Sequence, residues 1–237
     1  MTTRETYDNM LWIDLINDVD NLTKISNEIW CEQSSKYVFM KDYEYTGNLY
    51  LDYEALKDSD WFYVEGYLVT DEARTRATKQ AVEFAKEQGV KIAISLSDPF
   101  VVDVFGDALR DVIGSGVDLV FCNKDEALAF TSSDGLDSAI EKLKLITKSF
   151  AITDGAKGAI TYDGDSVSKS DGVSAKAIDT NGAGDMFAGA FLYAITSGKS
   201  YDWAAKLAND CASRVVAKFG PRLDLEELDV IKAKFGL

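Results

Sequence analysis

From Trp61 onward the chain alternates short apolar runs with helical patterns, and that alternation restricts it to an α/β architecture. W-F-Y-V-E-G-Y-L reads as a strand, Asp71 to Gln88 as a polar helix and V-K-I-A-I-S-L as the next strand. A helix around Val104 to Ile113, the strand V-D-L-V-F-C, a helix from Lys124 and the strand S-F-A-I-T-D follow. Strand, helix, strand at this spacing requires right-handed crossovers, and so a Rossmann-like, mostly parallel sheet with helices on both faces. G-A-I-T-Y-D and V-S-A-K-A-I are expected to add strands. Three helical patterns close the chain: Ala183 to Thr196, Asp202 to Phe219 and Leu225 to Phe235.

The first 60 residues read differently, which divides the chain into 1–60 and 61–237. Leu11, Leu15, Val19, Leu22, Ile25 and Ile29 recur at spacings of three and four, the mark of an amphipathic helix. Its ordinary role is packing on its own chain; the alternative is a seam between copies in a homo-oligomer. Residues 37–53 fit either a hairpin turning at Gly47-Asn48 or a short helix capped by Asn48 and ending near Leu56.

Composition removes several functions. The 237 residues include no histidine, which excludes Ser-His-Asp and Cys-His nucleophile systems and histidine zinc sites. Proton transfer must fall to a carboxylate, Lys, Tyr or Cys. A formal net charge of −15 disfavours nucleic acid and anionic membranes as partners. Cys31, Cys122 and Cys211 lack C-x-x-C spacing and are odd in number, so a reducing cytoplasm is expected, with Cys122 and Cys211 in the core. The amino terminus interrupts its apolar residues with acids, unlike a signal peptide, and no apolar run nears the roughly 20 residues of a membrane span.

The chemistry concentrates in A-I-D-T-N-G-A-G-D-M-F-A-G-A-F-L-Y-A-I-T-S-G, from Ala177 to Gly198. A strand is expected to end at Ile178, a glycine turn follows, and Phe187, Ala190, Phe191, Ala194 and Ile195 then share one helical face. Gly182, Ala183 and Gly184 thus fall at a helix amino terminus, where unpaired amides and the helix dipole suit a phosphate. Asp185, in the first turn, can accept a hydroxyl proton. Taken alone, G-A-G-D also fits a glycine turn whose aspartate stabilises the helix start.

This stretch resembles the second signature of the ribokinase-like, PfkB-type carbohydrate kinases, D-T-x-G-A-G-D before a long helix. The resemblance continues in the family's order. W-F-Y-V-E-G-Y-L and S-L-S-D-P-F look like segments of the adenosine-kinase-like branch. C-N-K-D-E-A matches the N-x-x-E motif, T-D-G-A-K-G the nucleotide loop, and L-A-N-D-C-A followed by F-G-P-R the adenine-side helix and loop. The resemblance implies Asp185 as catalytic base and Gly182, Ala183 and Gly184 as the anion hole. It implies Asn123 and Glu126 as partners of Mg2+ and phosphate oxygens through water, Thr153, Gly155 and Gly158 along ATP, and Asn209 near the adenine. Asp179 matches a position beside a monovalent cation such as K+, although capping its own loop accounts for it as well.

One departure stands out: the family's first signature, with its Gly-Gly-Asn pattern in the sugar-binding and lid region, is absent, and residues 1–60 hold one glycine, Gly47. The expected function is ATP-dependent phosphorylation of a sugar or nucleoside hydroxyl. The alternative is a nucleotide-binding or regulatory module that has lost transfer.

Overall fold

The computed structural model describes residues 30–33, 36–39, 41–42, 49–50 and 53–237. They fall into two compact units that divide between Phe150 and Ala151. The expected helix from Leu11 to Ile29 and the Gly47-Asn48 turn lie outside the described residues.

In the first unit, strands β1 (Trp30–Gln33) and β2 (Lys36–Phe39) pair antiparallel. Strand β3 (Lys41–Asp42) pairs with β4 (Leu49–Tyr50), and helix α1 (Tyr53–Lys57) follows. The repeat then runs β5 (Trp61–Glu65), α2 (Glu72–Gln88), β6 (Lys91–Ser95), α3 (Pro99–Ile113) and β7 (Val117–Asn123). Helices α4 (Lys124–Thr131) and α5 (Leu136–Leu143) lead into β8 (Thr147–Thr153), which crosses into the second unit. Strands β5, β6 and β7 are parallel, with Phe62 opposite Ile92 and Ile94 opposite Val120, and β1 adds antiparallel to β5. Successive strand residues point to opposite faces, and Ile92, Ala93 and Ile94 are all buried, so the sheet is covered on both faces.

Local chemistry sets the helix limits. The Asp71 carboxylate accepts from the amides of Ala73 and Arg74, opening α2, and Gly89 closes it at φ +75°. Helix α3 begins ahead of the expected Val104, because Asp98 caps it and Pro99, lacking an N–H, suits the first turn. The helix expected from Lys124 is two, broken where Ser132 turns left-handed at φ 48°.

At the carboxyl edge of β5 and β6 the segments E-G-Y and S-L-S-D meet. Tyr63 and Ser97 donate their hydroxyls to the Glu65 carboxylate at 2.6 and 2.8 Å, and the Gly66 amide donates to Ser97 Oγ at 2.7 Å. A Cβ on Gly66 would stand 2.7 Å from the Ser95 carbonyl oxygen, so this approach requires glycine.

In the second unit β9 (Ala159–Tyr162) and β10 (Val167–Ser170) form an antiparallel hairpin. The Asp163 carboxylate closes its turn by accepting from the amides of Ser166 and Asp165, which hold its pKa below the ordinary value. V-S-A-K-A-I, residues 173–178, is not a strand, contrary to its alternation; the partner of β9 is the preceding V-S-K-S. Helices α6 (Ala183–Thr196), α7 (Tyr201–Val215) and α8 (Leu225–Phe235) complete the unit. Helix α6 is buried from Met186 to Leu192, and Phe191 meets Tyr201 of α7 edge-on at 5.1 Å. Asp210, 2 % exposed, joins Arg214 to Lys234 of α8. Burial opposes its ionisation, but the hydrogen bonds from Lys234 and Arg214 outweigh that cost and leave its pKa lowered. Among the described residues no helix is long and apolar enough to cross a membrane.

Candidate active site

The start of α6 is held open by the loop that precedes it. The amides of Ile178 and Asp179 donate to the Val216 carbonyl at 2.7 and 3.3 Å, anchoring the loop to the end of α7. The Asp179 carboxylate accepts from the Asn181 amide with one oxygen and from the Gly220 amide with the other, both at 3.1 Å. Those two bonds lower its pKa. Gly182 occupies the N-cap in left-handed conformation, φ +76°, and a Cβ there would lie 2.3 Å from Pro221 Cβ. Glycine therefore meets two demands at once, backbone sign and clearance.

No side chain caps this helix. The Ala183 amide reaches back to the Thr180 carbonyl at 3.3 Å, while a Cβ on Gly184 would meet nothing within 4 Å. The Gly184 and Asp185 amides thus have no intrahelical acceptor, and the positive end of the helix dipole lies at this turn. Asp185 follows in the same turn. It keeps access to solvent, yet partial desolvation raises its carboxyl above the ordinary aspartate value. A carboxylate so perturbed is a better-matched proton acceptor.

Beside this turn lies a cavity of about 240 Å³, lined by residues from three sequence motifs and from the chain after β10. Thr153, Gly155 and Gly158 come from the nucleotide-loop motif, Ala183 and Gly184 from the start of α6, Asn209 from α7, and Gly172 from the chain after β10. Among the described residues no charged side chain lines it, so it suits a neutral group better than a charged one. The T-D-G-A-K-G segment is a tight turn between β8 and β9: the Asp154 amide donates to the Gly158 carbonyl at 2.8 Å, and Gly158 turns at φ +93°.

In the first unit Asn123 and Glu126 form a reciprocal capping box at the start of α4. The Glu126 amide donates to Asn123 Oδ1 at 2.9 Å, and the Asn123 amide donates to Glu126 Oε2 at 2.9 Å. Asn123 Nδ2 adds a bond to Glu126 Oε1 at 2.5 Å. Glu126 is 4 % exposed; burial, aided by repulsion from Asp98 and Asp125, lifts its pKa to about 7 against the pull of the Asn123 bonds. Its oxygens already hold donors, so the pair fits contact with Mg2+ through water better than direct ligation. Among the described residues no three His, Cys, Asp or Glu side chains are grouped to hold a metal ion.

Sequence reading missed two supports of this site, Ser170 and Gly172, and gave Gly220 and Pro221 only as part of the F-G-P-R loop. A glycine just past a strand and a Gly-Pro pair just past a helix were the available signals. Cys122 and Cys211 are buried as expected, and burial raises both thiols, Cys211 to about 12.

Residues 32–228 match the profile of the pfkB family carbohydrate kinases. The chain is 30 % identical over 189 residues to adenosine kinase of Saccharomyces cerevisiae, covering 72 % of this chain and 53 % of that one. It matches the crystal structure of adenosine kinase from Sinorhizobium meliloti with a TM-score of 0.73 and 31 % identity, over 78 % of this chain and 57 % of that one. Ribokinase of Arabidopsis thaliana, solved with ribose and ATP, gives a TM-score of 0.61 at 20 % identity over 76 % and 58 %, a likeness of fold. The chain spans about half the length of the curated relatives it matches.

Proposed function

Because the chain belongs to the pfkB family of carbohydrate kinases, we propose that it transfers the γ-phosphoryl group of ATP to a hydroxyl of a sugar or nucleoside. The observation that carries this reading is the uncapped, glycine-started amino terminus of α6, with Asp185 in its first turn and Ala183 and Gly184 lining the cavity.

In this reading Asp185 takes the proton of the acceptor hydroxyl as its oxygen attacks the γ-phosphorus and the bond to the ADP oxygen breaks. Transfer is direct, so the chain supplies positioning and electrostatics rather than a covalent intermediate. The amides of Gly184 and Asp185 stabilise charge on the moving phosphoryl oxygens, aided by the helix dipole. The cavity bordered by Asn209 takes the base, and the Gly155 and Gly158 backbone passes close to ribose and phosphates. Mg2+, when bound, neutralises phosphate charge; Asn123 and Glu126 are its proposed partners, through water. K+ is proposed beside Asp179, whose oxygens each keep a lone pair after accepting an amide.

The test is turnover of Mg-ATP by the purified chain against a panel of sugars and nucleosides. Transfer to at least one acceptor, lost in Asp185→Asn, is expected. ATP binding without transfer to any panel member would leave a nucleotide-binding module in place of the kinase.

A further inference from the structure

Asn209 is 7 % exposed and borders the cavity, yet its amide nitrogen is engaged by acceptors of the protein itself. Nδ2 lies 3.1 Å from the Asp171 carbonyl oxygen, 3.2 Å from Ser170 Oγ and 3.4 Å from the Ser170 carbonyl oxygen. Carbonyls only accept, so the atom facing them has to be the NH2, and both its hydrogens are committed to the end of β10. The carbonyl oxygen is what Asn209 has left for the cavity.

The segment that Asn209 holds continues into Gly172, where the backbone meets the nucleotide-loop turn without room for side chains. A Cβ on Gly172 would lie 2.3 Å from the Ala156 carbonyl oxygen and 2.8 Å from the Gly158 nitrogen. Conversely, a Cβ on Gly158 would lie 2.1 Å from the Ser170 carbonyl oxygen and 2.4 Å from the Gly172 nitrogen. Ala156, Gly158 and Gly172 all line the cavity. Its wall is therefore two backbone strips in contact, with Asn209 fastening one of them from α7.

We propose that Asn209 is a positioning residue: through Ser170 and Asp171 it clamps Gly172 against the Ala156–Gly158 turn and so sets the wall of the nucleotide cavity. The inference rests on the reading of that cavity as the nucleotide site. Releasing the clamp takes the Asn209 donors from the Ser170 and Asp171 carbonyls and lets the strips part. A looser wall weakens ground state and transition state alike, so the loss falls on KM rather than kcat.

Asn209→Asp separates this role from direct base recognition, because it keeps an acceptor facing the cavity and removes the donors. Asn209→Asp and Asn209→Ala are each expected to raise the KM for Mg-ATP by about tenfold to a hundredfold with little change in kcat. The same factor is expected with purine riboside triphosphate, which lacks the exocyclic amine. A wild-type KM in Asn209→Asp, or a loss that disappears with the amine-free nucleotide, would make Asn209 a base contact and overturn the clamp.

Amide exchange on the intact wild-type chain without nucleotide tests the clamp even where variants fold poorly. Residues 154–158 and 170–172 should be protected together, well beyond the exposed 173–178. Exchange at 170–172 as fast as at 173–178 would also overturn it. A wild-type chain that binds no ATP would end the nucleotide reading alone, with the clamp then decided by exchange.

Discussion

Helices α4 and α6 both begin at motifs that the proposed function ties to phosphate chemistry, and they begin in different ways. At α4 the Asn123 and Glu126 side chains satisfy two of the first amides, one each, in a reciprocal capping box. At α6 the N-cap is a left-handed glycine braced by Pro221, and no side chain caps the turn. A capping box supplies part of a helix start from its own side chains, whereas an uncapped start leaves more of it to water or a ligand. In the proposed function this difference is the reason the chemistry is put at α6 and a supporting role at α4.

The largest effect should come from the open start. Asp185→Asn keeps the first-turn amides and removes the proton acceptor, so transfer should fall by about a hundredfold to ten-thousandfold while ATP affinity is preserved. A coupled turnover assay beside calorimetry separates the two. The raised pKa of Asp185 also places the acid limb of the kcat profile above the ordinary aspartate range, because the base is lost as pH falls through its pKa. A variant that still turns over would transfer the chemistry elsewhere and break the contrast.

The two units should answer pH with opposite sign. Glu126 titrates near its ordinary 4.5 when unfolded and near 7 in the fold. Its contribution is full below the unfolded value and is lost as pH rises toward 7, by on the order of 2–3 kcal/mol. Asp210 has a lowered pKa, so its contribution is present above the unfolded value near 3.8 and is lost as pH falls through the folded one. Hydrogen exchange across pH should show β7–α4 weakening toward neutrality and α7–α8 weakening in acid. Glu126→Gln should flatten the first slope and Asp210→Asn the second; slopes of one sign in both regions would refute the contrast.

Gly182→Ala addresses the open start from the backbone. It places a Cβ against Pro221 in a left-handed conformation, and should cost about 1–3 kcal/mol of stability, read by thermal melting, with turnover falling further than stability accounts for. Unaltered melting would mean that the loop relaxes freely and that Pro221 does not brace it.

These contrasts were legible in the sequence to different depths. The limits of α6 could be read to the residue, because a glycine turn and an apolar face mark its two sides unambiguously. The parallel β5–β6–β7 core was equally legible, since continuous apolar runs are what a doubly covered sheet requires. Residues 173–178 were misread because alternation was taken to face a core; Ala175 and Ala177 instead line the cavity, and small residues around a ligand space imitate a strand. Helix α5 was missed because the break at Ser132 depends on a backbone sign that serine rarely adopts. Nothing in their spacing could show that Thr153, Gly172, Gly184 and Asn209 border one space, which only tertiary packing decides.

The smallest effect should come from the capped start. Asn123→Ala removes the acceptor for the Glu126 amide and the second donor to its carboxylate, while the backbone bond from residue 123 to Oε2 remains. A lost N-cap costs about 1 kcal/mol, and α4 spans only eight residues, so its first turn should fray. The informative reading is what happens to Glu126. With one donor fewer its carboxylate is less well stabilised, so its pKa should climb further above 7 and the neutral form should persist to higher pH. Asn123→Asp should keep the cap, since an oxygen still accepts from the Glu126 amide, but set a like charge against that carboxylate and raise its pKa at least as far. If both variants leave the Glu126 titration where it stands, burial alone sets it, and the motif at α4 is a cap and no more.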